Sequence, residues 1–226
     1  MAESGPLYLR PNHPPATSTA DEDWTLITRR QVMHAAAAVA ATPLMSRLAW
    51  AQELLPDMIM GDPDAPIEII EYSSMTCPHC AAFQTETLPA IKERYLDTGK
   101  AKLIFREFPL DRVALTASAL ARCAGPDRFF AFVDVLFRTQ EQWAHAADPT
   151  EELKKIVWMG GLDPAMVDSC LADETIVDGI LAVRLNGDET YTIRSTPTFI
   201  INGESHPGQM TVEAFEALLE PYLTEG

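Results

Sequence analysis

Ala65-Pro-Ile-Glu-Ile-Ile-Glu-Tyr72-Ser-Ser-Met-Thr-Cys77-Pro-His-Cys80-Ala-Ala-Phe-Gln-Thr-Glu-Thr-Leu88 places a dithiol where a strand hands over to a helix. Ile67–Tyr72 reads as the strand, with Ile67, Ile69 and Glu71 on one face and Glu68, Ile70 and Tyr72 on the other. The helix starts at the first cysteine, and Pro78 takes an early position where its missing N–H costs nothing. Unpaired N–H groups and the helix dipole favour negative charge at such an end, so the first sulfur is biased toward thiolate. Two cysteines separated by two residues can close a small disulfide or open to a reactive thiol. A zinc knuckle needs a second close pair of Cys or His, and none follows at that spacing. The pattern therefore points to redox chemistry.

Outward from this junction, the helix should run to about Asp97, with a kink at Pro89 and a stop at Thr98-Gly99. Ala101–Phe108 reads as a second strand ended by Pro109. A strand, helix, strand unit of this length is a right-handed crossover between parallel strands. Upstream, Asp62–Pro66 reads as a loop. Downstream, helices are expected over Arg112–Ala124, Asp127–Gln140, Thr150–Met159 with Thr150 as its N-cap, Asp163–Leu171 and Glu174–Asn186. Phe129, Phe130, Val133, Leu136 and Phe137 recur at helical spacing and read as core. Thr198–Ile201, the turn pair Asn202-Gly203 and Glu204–His206 read as a β-hairpin, followed by an amphipathic helix over Val212–Leu223.

The front of the chain has a different character. Residues 1–28 are polar and proline-rich; Arg29-Arg30, an alanine-rich stretch over Ala35–Ala41 and Ala49-Trp50-Ala51 follow. A basic region, a modest apolar run and an A-x-A site make an export signal, expected to be removed after residue 51 to leave a domain of residues 52–226. The arginine pair resembles a twin-arginine (Tat) leader, although Val32-Met33 is weaker than the usual apolar pair and the segment ahead of the arginines is long. Pro43, Ser46 and Arg47 interrupt the apolar run too early for a membrane anchor, which needs about 20 apolar residues. All four cysteines lie after the leader, and an exported chain with an even number permits stable disulfides. Net charge is −16, from 33 acidic and 17 basic residues. That balance argues against nucleic acid or an anionic membrane as partner. His13 and His34 lie in the leader, His145 and His206 stand alone, and there is no glycine-rich phosphate loop. No cofactor and no metal are expected.

The order of elements is that of an α/β thioredoxin fold with an all-helical insertion at about residues 111–190. Met60–Pro66, Glu71–Cys80 and Ser195-Thr-Pro-Thr-Phe199 together resemble the DsbA-type periplasmic thiol:disulfide oxidoreductases, over about residues 58–224. The resemblance implies a protein dithiol:disulfide oxidoreductase. Cys77 would be the nucleophile, at an exposed helix start, with Cys80 one turn in. His79 would donate to the Cys77 thiolate or place positive charge near it, making the disulfide a stronger oxidant. Thr196-Pro197 would be a cis-proline loop that pairs with an extended client segment. Glu71 would be the buried acid that takes up or relays a proton when Cys80 reacts. Cys123 and Cys170 resemble a second, non-catalytic pair, whose bridging would close a loop of about 48 residues worth roughly 4 kcal/mol at most. The implied partners are folding exported proteins with free thiols and a membrane quinone-linked reoxidising protein, in the periplasm. Only the short stretch Gln52–Pro66 precedes the first strand, which leaves little for a dimerisation segment and points to a monomeric oxidase. The alternatives are a reductase or isomerase of the same fold, or a protein that binds Cu(I) or Zn(II) through Cys77, Cys80 and His79.

Overall fold

The computed structural model describes residues 54–223; the leader and its cleavage site lie outside them. The sheet has five strands in the order β1-β3-β2-β4-β5: β1 (Met58–Gly61), β2 (Ile67–Ser73), β3 (Ala101–Glu107), β4 (Thr198–Ile201) and β5 (Glu204–Pro207). β2 and β3 pair in parallel, Ile67 opposite Ala101 and Glu71 opposite Phe105, as the crossover requires. The other pairings are antiparallel. The sequence does not announce β1, a four-residue edge strand whose partner is more than 40 residues away in the chain.

Between β2 and β3 the chain is helical from Pro78 to Leu96, in alternating α and π turns: α1 (Pro78–Ala82), a π segment over Phe83–Thr87, α2 (Leu88–Ile91) and a second π segment over Lys92–Leu96. Pro89 has no N–H to give and its ring crowds the preceding turn, and the chain widens to π geometry just ahead of it, over Phe83–Thr87. Ile67, Ile69, Leu103 and Phe199 on one sheet face pack with Phe83 of this run and with Phe215 of the final helix, α9 (Val212–Leu223). Ile70, Tyr72, Ile104 and Ile200 point to the other face. The strand alternation read from the sequence is thus the alternation that is buried.

The insertion between β3 and β4 comprises α3 (Arg112–Cys123), α4 (Pro126–Arg138), α5 (Gln140–Ala144), α6 (Pro149–Met159), α7 (Pro164–Leu171) and α8 (Glu174–Tyr191). The cap of α6 is Asp148, not Thr150: its carboxylate accepts from the Glu151 N–H at 3.1 Å, and Pro149 occupies the first helical position. α8 runs through Asn186-Gly187 to Tyr191, five residues further than expected. Gly187 is not a terminator here. A Cβ at that position would meet the Tyr72 ring, so glycine lets the helix lie directly on β2. The insertion is anchored to β3 by a buried pair in which Arg122 Nη2 donates to Glu107 Oε2 at 2.8 Å. Cys123 at the end of α3 is disulfide-bonded to Cys170 in α7, with a Cα–Cα distance of 6.0 Å.

Candidate active site

Cys77 caps α1 from an extended conformation, and its carbonyl accepts the Ala81 N–H at 3.1 Å. Pro78 follows at the first helical position. The geometry presents the N–H groups of His79 and Cys80 to the Cys77 sulfur. The thiol is held down to about 5, chiefly by hydrogen bonding from the Cys80 thiol, with Thr196 and the backbone N–H groups of Cys80 and His79 adding to it against the opposing effect of burial. Cys80, one turn in and fully buried, is pushed well above an ordinary thiol by burial and by the neighbouring Cys77 charge. Both are free thiols in this structure. The two sulfurs thus divide into a thiolate and a protonated thiol at neutral pH.

Cys77 is less open than its place in the sequence suggests, at 6% exposed. The cover is the Ser195–Pro197 turn, which crosses from the far side of the insertion. Thr196-Pro197 is a cis peptide. When protonated, the Cys77 thiol donates to the Thr196 carbonyl at 3.2 Å. The Gly208 N–H donates to the Pro197 carbonyl at 2.8 Å, and the Thr198 hydroxyl to the Ser195 carbonyl at 2.7 Å, so the turn is fixed on both sides. The His79 imidazole faces elsewhere than expected: its Nδ1 lies 3.1 Å from Gln209 Oε1, in the loop after β5. The hydrogen bond from this residue to Cys77 comes from its backbone.

Beneath the dithiol, Glu71 has no exposure at all. Gln84 Nε2 donates to its Oε2 at 2.9 Å, while Oε1 has no hydrogen-bond partner. Burial raises this carboxyl to about 7, offset in part by Ser73 and Gln84 and increased slightly by the Cys77 charge. Glu71 in turn raises Cys80, and Ser73, two residues along the same strand face, lowers both. A buried group poised near neutrality beside a thiol that must gain and lose a proton is suited to exchange it.

Two positions that carry this arrangement were not singled out in the sequence. Gln84 orients the carboxyl. Gln140, at the start of α5, is buried and donates from Nε2 to the carbonyls of Met75 at 2.7 Å and Cys77 at 3.1 Å. It ties the insertion to the loop that presents the nucleophile. Both are polar residues on helices whose neighbours are mixed, and only the three-dimensional packing shows that they face inward. Thr76 Oγ1 donates to Asp111 Oδ2 at 2.7 Å, while Asp111 Oδ1 caps α3 through the Ala114 N–H at 2.8 Å. Glu71, Cys77, Pro78, His79, Cys80, Thr196 and Pro197 are thus brought into one cluster. Cys123 and Cys170 sit apart from it, in the insertion. Among the described residues no group of three or more His, Cys, Asp and Glu side chains is arranged to hold a metal ion.

Residues 53–221 match the family model described as thioredoxin. The fold is similar to α-DsbA1 of Wolbachia pipientis, with a TM-score of 0.72 and 31% identity over 76% of this chain and 93% of that one. It also resembles oxidised BdbD of Bacillus subtilis, with a TM-score of 0.67 over 74% of this chain and 93% of that one; at 20% identity that likeness concerns the fold alone. Among curated sequences, a Rickettsia bellii protein bearing the name protein-disulfide oxidoreductase is 35% identical over 148 residues, 65% of this chain. The chain spans 57% of that relative's length.

Proposed function

The chain belongs to the thioredoxin superfamily as a DsbA-type oxidoreductase, and from that premise we propose that it oxidises client dithiols with a Cys77–Cys80 disulfide. The observation that carries this reading is the asymmetric placing of the two sulfurs: Cys77 caps α1 beside the cis Thr196-Pro197 turn while Cys80 is fully buried one turn in, an arrangement that holds the first thiol down and pushes the second well up. A client thiolate attacks Cys77 Sγ, the Cys77–Cys80 bond breaks, and Cys80 leaves with the electron pair. Cys80 is strongly biased to take a proton, and Glu71, near neutrality and electrostatically linked to it, supplies or relays that proton. A second client thiolate then attacks the client sulfur of the mixed disulfide. Cys77 leaves as a stabilised thiolate, the client has lost two electrons and the protein has gained them. Stabilising the Cys77 thiolate stabilises the reduced protein and so makes the disulfide oxidising. Thr196-Pro197 lies against Cys77 and offers backbone groups to an extended client segment.

Reoxidation requires an external two-electron acceptor, for which we propose a membrane quinone-linked partner. Residues 1–51 act as an export signal, and the monomer works in the periplasm on folding proteins. Recovery of the exported chain beginning near Gln52 would bear that out, and a cytoplasmic full-length chain would refute it. The deciding experiment for the chemistry is the equilibrium of the Cys77–Cys80 couple against glutathione. A potential of about −120 mV supports the oxidase, whereas about −270 mV would make the protein a thioredoxin-like reductase.

A further inference from the structure

A groove of about 400 Å³ opens beside the site, walled by the loop after β3, by α8 and by the segment after α8. Phe108 and Ile193 line it, and Leu110, Leu181 and Leu185 border it with 52%, 40% and 52% of their surface exposed. Large apolar side chains so gathered at one opening mark a surface that receives another molecule. Two of these walls, the loop after β3 and the segment after α8, adjoin residues that hold the nucleophile. Leu110 donates its N–H to Ser74 Oγ at 3.3 Å, and its neighbour Asp111 accepts from Thr76, the residue before Cys77. On the other wall, Ile193 and Arg194 lead directly into Thr196, whose carbonyl accepts from Cys77. From Thr196 back to Ile193 is three residues, about 10 Å of extended chain.

Arg184 gives the groove its charge. Its guanidinium lies 5.3 Å from the centre of the Phe108 ring. Among the described residues it makes no ion pair, although the full chain holds 33 acidic residues against 17 basic ones. The other arginine at the opening, Arg194, is 3.5 Å from Asp188 and is already opposed by it. The groove therefore carries one cation without a carboxylate partner, set against apolar walls.

We propose that this groove holds the client segment about three residues from its reacting cysteine, and that it selects an apolar side chain adjoining a carboxylate. The leucines and Phe108 take the apolar group, and Arg184 takes the acid. The proposal rests on the exchange reading above and adds a preference among client sequences.

The test uses the oxidised full-length chain with extended two-cysteine peptides. Each carries Leu three residues from the first cysteine, placed before it in one pair and after it in another, and the members of each pair differ only in Glu or Lys next to that Leu. At low salt at least one Glu peptide should be oxidised about three- to fivefold faster than its Lys counterpart, the size of one partly exposed charge pair. The advantage should shrink as salt rises. Arg184→Gln should bring the ratio to about one, Arg184→Glu should invert it, and Arg184→Lys should keep it. Equal rates for Glu and Lys peptides in both pairs, or a ratio that survives Arg184→Gln, overturns the proposal. So does concentration-dependent dimerisation that Leu185→Asp abolishes, which would assign the groove to a second copy of this chain. Failure of the exchange reading looks different: neither the peptides nor dithiothreitol would be oxidised at all, and both readings would fall together.

Discussion

Replacing Glu71 by Gln should stabilise the reduced protein, and only at higher pH. The carboxyl is raised from an ordinary 4.5 to about 7 because it is buried. A group raised in this way is held protonated by the fold. Its favourable contribution is full below the unfolded value and is lost as pH rises through about 7, where the folded state must bury a charge. At 1.36 kcal/mol per pH unit the loss approaches about 3 kcal/mol by pH 8. Complete burial means that solvent screening does not reduce it. Gln has the same shape, cannot ionise, and keeps an oxygen to accept from Gln84. Its added NH2 would sit on the side of the unpartnered Oε1, towards Ser73, whose hydroxyl also lacks a partner. Urea unfolding of wild type and Glu71→Gln under reducing conditions should give midpoints that coincide near pH 4. By pH 8 they should separate by about 1.5 M, taking an m-value of about 2 kcal/mol/M. Cys77 contributes in the opposite sense, since its depressed pKa adds stability as pH rises through about 5, but it does so in both proteins and largely cancels. A midpoint difference that is constant with pH, or a wild type more stable than the variant at pH 8, would refute the assignment of a buried, raised carboxyl.

Cys80→Ala should accumulate mixed disulfides between Cys77 and clients, visible on non-reducing gels, whereas adducts forming equally with Cys77→Ala would contradict the choice of nucleophile. Thiolate absorbance of the reduced protein should titrate with a midpoint near 5, and His79→Ala should leave that midpoint nearly in place, because the hydrogen bond from this residue to Cys77 comes from its backbone N–H while its ring meets Gln209. Cys123→Ala with Cys170→Ala should cost up to roughly 4 kcal/mol of stability, seen as a lower melting temperature, while dithiol oxidation by the folded protein persists. Gly187→Ala should destabilise by about 1–3 kcal/mol in denaturant titration, since the methyl group must displace the Tyr72 ring.

Much of this architecture is legible from local signals. The alternation in Ile67–Tyr72, the proline after Cys77, the Asn202-Gly203 turn and the periodicity of Val212–Leu223 each act over a few residues, so the sequence displays them directly. What escaped depends on distant partners. β1 has only four residues and is a strand because β3 pairs with it. Asn186-Gly187 looks like a helix end, yet the helix continues because the glycine packs on Tyr72 from another element. The site divides the same way. The Cys77-Pro78-His79-Cys80 motif reads itself, and Glu71 falls on a strand face with Ile67 and Ile69. Gln84 and Gln140 show their importance only through what they touch. The orientation of the His79 ring is equally hidden, because sequence adjacency to Cys77 says nothing about its rotamer, and here its Nδ1 meets Gln209.

The disulfide in the insertion lies away from the thiol chemistry, yet it shortens the tether that must close to assemble it. Cys77 and Thr196 are 119 residues apart along the chain. A covalent shortcut from Cys123 to Cys170, themselves 47 residues apart, reduces that path to about 73 residues. Loop-closure entropy grows only with the logarithm of length, so the gain is small, about 0.4 kcal/mol. It is nevertheless directed at one event, the meeting of nucleophile and proline turn. A partly unfolded chain with the bridge intact therefore reassembles its reactive centre about twice as readily as one without it.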